Sequence, residues 1–193
     1  MALPSERWLQ ARAPAQPTRP PPDGYSCPWL QLNKPERLTG TLHSTTREAR
    51  HMKDPSSVYL EPTQESGRSF IMRGMPGEVV MLNLLRFRET ADYSDSPELE
   101  PDQPISGSAA YAIYIEHTLP HLRESGGDLE YVGDGGDWLI GPADERWDVA
   151  MLVLHRSVES FMSFASNEAY LGGMGHRLAA ISDSRLLPLV SRG

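Results

Sequence analysis

A single cysteine, Cys27, stands among 193 residues. No internal disulfide can form, and without a Cys-x-x-Cys pair nothing points to a zinc, redox or iron–sulfur framework. A reducing, cytoplasmic setting fits this usage best. Also missing is any apolar run near the roughly 20 residues that a spanning helix needs. The first 25 residues lack the apolar middle of a secretion signal, so the expectation is a soluble protein without a membrane partner. There is no nucleophile elbow, no phosphate-cradling glycine loop and no dinucleotide fingerprint. Gly172-Gly173-Met174-Gly175 lacks both the preceding strand and the spacing. No cofactor is expected.

Basic charge is scarce too: the chain carries 18 Lys and Arg against 26 Asp and Glu, a net charge of -8. Residues 1–51 hold seven basic and four acidic side chains, which leaves +3 there and -11 over the remainder. An acidic domain repels phosphate backbones, which argues against nucleic acid as the main partner. A composition of 39% hydrophobic and 23% charged residues is that of a globular protein, and the length suits one domain plus an appendage.

Residues 1–51 crowd Pro14, Pro17, Pro20, Pro21 and Pro22 together without a sustained apolar period. Such a stretch cannot bury enough surface to offset its ordering entropy and reads as a disordered or loosely docked arm. An equally weighted alternative is that translation begins at Met52. Residues 52–77 read as a leading helix, capped by Thr63, apolar through Phe70 and Ile71, and stopped by Gly74 and Pro76. Residues 78–193 read as the main domain.

In that domain Val79 to Phe87 is short, nearly all apolar and bounded by turn residues, which predicts a strand with both faces buried. The polar stretch 88–104 has the length of a lid or binding loop. Ser106 should cap a helix running to about Ser125, with Tyr111, Ile115, Leu119 and Leu122 on one face, Pro120 bending it and Gly126-Gly127 ending it. Asp128 to Gly133 alternates as a strand, with a short extension expected at Trp138-Leu139-Ile140. Trp147 to His155 forms the third strand. Ser157 caps a helix through Phe164, and Asn167 opens another through Tyr170, Met174, Leu178 and Ile181. Arg185 to Val190 is the last strand, and Pro188 marks it as an edge.

Strand, helix, strand, strand, helix, strand is the order of a split βαβ sheet with helices on one face. The fold class is therefore α+β, a ferredoxin-like βαββαβ sandwich. A first strand apolar on both sides needs a second cover, most simply the sheet of another copy.

The motifs Val80-Met81-Leu82-Asn83-Leu84-Leu85, Tyr111 with Tyr114, Gly126-Gly127, Trp147-Asp148, Glu168-Ala169-Tyr170 and His176-Arg177 occur in that order. Together they resemble the family catalogued as domain of unknown function 1330, of the dimeric α/β barrel superfamily, from about Tyr59 to Val190. The resemblance implies a ferredoxin-like protomer and a homodimer whose sheets form a barrel. It implies no activity, because relatives in the wider superfamily range from cofactor-free monooxygenases to binding proteins. The arm has no counterpart in the family pattern.

Several side chains could carry chemistry. Asn83, a carboxamide within an apolar strand, either orients a ligand atom or makes a structural bond. Arg86, on the opposite face, could hold a carboxylate, although pairing with the surplus acids weighs more. His176 could serve as a base near neutrality beside Arg177, against the plainer reading of a surface pair at a subunit contact. Tyr114 and Tyr131, at the margins of their apolar faces, could show hydroxyls to a cavity. His117 and His121 are spaced for a metal but lack a third ligand. The expectation is a homodimer that binds a small aromatic or carboxylated molecule between sheet and helices. As an enzyme it would use Asn83, His176 and Arg177 as catalytic groups and Arg86, Tyr114 and Tyr131 as ligand contacts. The rival is a non-catalytic binding or assembly module with a filled interior.

Overall fold

The computed structural model describes residues 58–191, so the proline-rich arm and the Met52 start lie outside the described residues. In chain order the elements are α1 (Gln64–Met72), β1 (Val79–Phe87), a 3-10 turn (Pro97–Leu99), α2 (Gly107–Glu124), β2 (Asp128–Asp134) and β3 (Val149–His155). Helices α3 (Val158–Ala165), α4 (Glu168–Leu171) and α5 (Met174–Ala180) follow, then β4 (Ile181–Val190). Among the described residues no helix is long and apolar enough to cross a membrane.

The helix starts follow local chemistry. The side chains of Thr63, Ser106, Ser157 and Asn167 each accept a backbone N–H three residues ahead, satisfying a donor the helix itself leaves free. Gly126, with φ of 85°, takes the left-handed turn that stops α2. Gly107 opens α2 where a side chain would overlap the backbone of Arg88 and Ala180, so only glycine lets this helix approach the end of β1.

The four strands form one antiparallel sheet in the order β2-β3-β1-β4. With the βαββαβ chain order, this is the ferredoxin-like topology. Asn83 lies opposite Met151 and Leu186, and Leu85 opposite Val149 and Ser184. Alternation along the strands then places Val79, Met81, Asn83 and Leu85 beneath the helices, with Met151, Val153 and His155 beside them. Two clusters fill that layer. One joins Leu85 and Met151 to Tyr111, Tyr114, Ile115 and Leu122 of α2, and the other joins Val79 and Met81 to Phe70 of α1 and Met162 of α3.

The opposite face carries Val80, Leu82 and Leu84 flanked by Leu152, Leu154, Leu187 and Leu189, and no described element covers it. The expectation that β1 is buried on both sides holds within the protomer for one side only.

Three further expectations are corrected. Trp138 to Ile140 forms no strand extension and lies in an irregular, exposed connection. The helix foreseen from Asn167 breaks at Gly172-Gly173 into α4 and α5, and Ile181 belongs to β4, where it pairs with Phe87. β3 begins at Val149, because the Asp148 carboxylate accepts the Phe87 N–H at 2.8 Å and ends the ladder there.

His155 is almost fully buried, with its ring edge-on to Phe161 at 5.1 Å and, among the described residues, no hydrogen-bond partner for Nδ1. Burial lowers its pKa from 6.5 to about 4. The folded state thus prefers the neutral ring. The resulting stabilisation is full above 6.5 and disappears as pH falls toward 4, because the unfolded chain takes up the proton first. The full shift corresponds to up to about 3 kcal/mol. Urea denaturation of His155→Leu should therefore show about 2 kcal/mol less loss of stability between pH 7.5 and pH 5 than the parent protein. Equal losses in the two proteins would remove this account of His155.

Candidate functional site

Before α1 the chain runs along the outer edge of β4. The Tyr59 N–H donates to the Asp183 carboxylate at 2.9 Å, and the Ser184 N–H and hydroxyl both donate to the Tyr59 carbonyl, at 3.0 and 2.6 Å. Arg177 of α5 donates to the Leu60 carbonyl at 2.8 Å. These contacts hold residues 59–62 as a strap across the gap between sheet edge and helices.

Beside the strap lies a cleft of about 350 Å³. Its apolar walls are Phe70, Met81, Phe161, Leu186 and Pro188, and its polar groups include Arg73, Arg177, Ser184, Arg185 and Glu61. The cations differ in their partners. Arg185 pairs with Asp183 at 2.6 Å, and its guanidinium lies over the rings of Tyr59 at 4.6 Å and Trp147 at 4.9 Å. Burial pushes the Asp183 carboxyl up, but hydrogen bonds from Arg185, Tyr59 and Ser184 outweigh it and hold the group below its ordinary range. Among the described residues neither Arg177, which is half-buried, nor Arg73, at the exposed rim, takes part in an ion pair. A positive charge in apolar walls without a carboxylate of its own is suited to an anionic group on a ligand.

A smaller polar cleft of about 150 Å³ lies on the other side of Leu60 and Glu61, lined by Arg88, Asp92 and Asp95. Hydrogen bonds from Ser94, with a smaller contribution from the charge of Arg88, lower the Asp92 pKa.

Of the residues singled out in the sequence, Arg177 alone lines the larger cleft. Asn83 donates to the Met81 carbonyl of its own strand at 3.1 Å and is not among the lining residues. His176 faces the loop after β1, where Nδ1 meets the Tyr93 hydroxyl at 2.8 Å. Burial, then the neighbouring His117, lowers its pKa. Tyr114 is buried, and its hydroxyl meets that of Tyr170 at 3.1 Å. Burial raises the pKa of Tyr170, and Arg177 acts in the opposite direction.

Arg86 sits on the open side of the sheet, donating to the Arg146 carbonyl at 3.0 Å and lying 5.3 Å from the Trp147 ring. Tyr131, 56% exposed, stands on that same open side across from Leu152. Arg86 and Tyr131 are therefore separated from Arg177 by the thickness of the sheet. The His117 and His121 rings are 5.2 Å apart, and among the described residues no group of three His, Cys, Asp or Glu side chains is placed to hold a metal.

Sequence reading missed Tyr59, Leu60, Arg73 and Arg185 as parts of this site. Tyr59 and Asp183 are 124 positions apart, so no local pattern joins them. The one available signal was an arginine, Arg185, immediately before the apolar run 186–190.

No family model matches the chain, and no curated protein does. Among solved structures, a protein of unknown function from Rhodopseudomonas palustris is 32% identical, with a TM-score of 0.63 over 71% of this chain and 99% of that one. The methylated form of that protein matches at 32% identity and a TM-score of 0.63, over 70% of this chain and 96% of its own. A dimeric protein of unknown function with a ferredoxin-like fold, from Bacteroides fragilis, is 10% identical with a TM-score of 0.38 over 60% of this chain and 97% of that one. So distant a match adds nothing to the topology already read from the strand order. With 32% identity spanning nearly all of the Rhodopseudomonas palustris protein, the chain belongs to the same family as that protein of unknown function.

Proposed function

We propose that this protein is a homodimeric binding protein for a small, mainly apolar carboxylate held in the cleft beside the strap. The observation that carries the reading is the half-buried Arg177 guanidinium, which has no ion-pair partner among the described residues and lies in a cleft of about 350 Å³ with largely apolar walls. That volume lies within the range of small-molecule sites, roughly 300–1,000 Å³. It favours a ligand over a solid interior.

Binding is favoured over catalysis because the acid–base set expected from the sequence is not assembled around the cleft. His176 is bonded to Tyr93, and Asn83 to its own strand, with neither lining the cleft. The dimer is favoured by the open face, on which Val80, Leu82, Leu84, Leu152, Leu154, Leu187 and Leu189 form a continuous apolar surface. A patch of this kind on a lone protomer is costly in water and marks an association surface. Closing two such faces on one another would give the dimeric α/β barrel that the sequence resemblance implies.

In a thermal-shift series of benzoate, cinnamate and octanoate against their neutral amides, at least one acid should stabilise the protein and its amide should not. Arg177→Met should weaken that binding roughly 10- to 100-fold, as expected for loss of a charged hydrogen-bonding partner. Because Arg177 also holds the strap, Arg73→Met serves as a second variant, with a smaller loss expected. Indifference to all three acids, or equal effects of acids and amides, would remove the carboxylate reading. Sedimentation should show dimers at micromolar concentration, and Leu82→Asp, at the middle of the open face, should give monomers with unchanged far-ultraviolet dichroism. A monomeric parent protein would end the paired-barrel proposal.

A further inference from the structure

The connection between β2 and β3 ends in an apolar finger. Leu139 is 98% exposed and Ile140 91%, with Trp138 half-exposed beside them. Three adjacent large apolar side chains at a loop tip are disfavoured in water unless something covers them. Acids surround them: Asp134, Asp137, Asp144 and Glu145 stand against Arg146 alone. The cleft has the opposite balance, with Arg73 and Arg177 against Glu61 once Arg185 is paired with Asp183, and its apolar rim includes the exposed Leu186.

Within one protomer the two features cannot meet, since the sheet order places β2 at one edge and β4 at the other. The cleft's lining along β4 runs from Ser184 to Pro188, and its Ser184 end lies toward the finger. Leu85 pairs with Val149 on one side and Ser184 on the other, so the β2–β3 connection and the start of β4 are level along the strand direction. Consider a second copy laid against the open face by a two-fold axis parallel to the strands. That operation preserves the level and exchanges left for right, bringing the β2 edge of one copy beside the β4 edge of the other, so the partner's long β2–β3 connection would reach the helix-side cleft by passing round the β4 edge.

We infer that in the dimer the Trp138–Ile140 finger of each protomer closes the partner's cleft, so that each ligand site is built from both chains. Apolar tip meets apolar rim, and the acidic flanks meet the arginines. The inference rests on the proposed dimer and cleft, and adds the direction of the two-fold axis and the identity of the lid.

The test uses full-length protein with Cys27→Ser, so that no native thiol interferes. Leu139→Cys and Leu186→Cys are made as separate variants with different affinity tags and co-expressed, and the doubly tagged species is treated with a short bismaleimide. Both positions are exposed, so neither change should disturb folding. The expected result is a covalent dimer joining the two variants, absent when either is expressed alone. If Leu139→Cys by itself gives the cross-linked dimer, or if no cross-link forms in a preparation that sediments as a dimer, the finger assignment is overturned and the dimer stands. A monomeric preparation overturns both.

Discussion

β1 lies between β3 and β4 and organises the protomer around itself. Its antiparallel register sets Asn83 against Met151 and Leu186, and through alternation it decides every side chain's layer. A slip of one residue would turn Val79, Met81 and Leu85 out of both core clusters and bring Leu82, Leu84 and Arg86 in. The cost of such a slip makes the register unambiguous even though β1 is apolar on both sides. The same alternation leaves a leucine-rich surface on the far face, so the signal that builds the core also creates the association surface.

The strap depends on β4 in turn. β4 is an edge strand, with open backbone groups along its outer side. Part of that edge is taken up by Tyr59 and Leu60 through Asp183, Ser184 and Arg177, and Arg185 is stacked against Tyr59 and Trp147. Covering the edge in this way gives the cleft its wall. It also explains the different standing of two nearby arginines: Arg185 is neutralised by Asp183, whereas among the described residues Arg177 is held by a carbonyl and a hydroxyl. Uncharged acceptors orient a guanidinium without cancelling its charge. The tyrosines behind it are buried, and Tyr114 and Tyr170 spend their hydroxyls on each other, so they contribute bulk and orientation.

Fold elements were readable wherever local chemistry decides them. The caps Thr63, Ser106, Ser157 and Asn167 and the nine-residue apolar run of β1 are each legible within a few neighbours. Boundaries failed where a distant partner decides. Ile181 has a helical neighbourhood, but pairing with Phe87 draws it into β4. Trp147 continues an alternating pattern, but Asp148 ends the ladder before reaching it. The candidate site was less legible still: Arg177 was found, while its companions come from the strap, the end of α1 and the edge of β4.

The βαββαβ order, the helix starts and the presence of an apolar surface that one layer of helices could not cover are all local properties of the chain, because propensity, capping and alternation act over short stretches. The folded arrangement alone leaves Arg177 without a carboxylate among the described residues, opens the cleft, and keeps His176 and Asn83 out of its lining. Asn83 and Arg185 take partners two positions away, but the cleft and the place of His176 depend on contacts between residues more than 80 positions apart, such as Leu60 with Arg177 and Tyr93 with His176. No local pattern encodes such pairings, since they exist only once the sheet has brought its ends together.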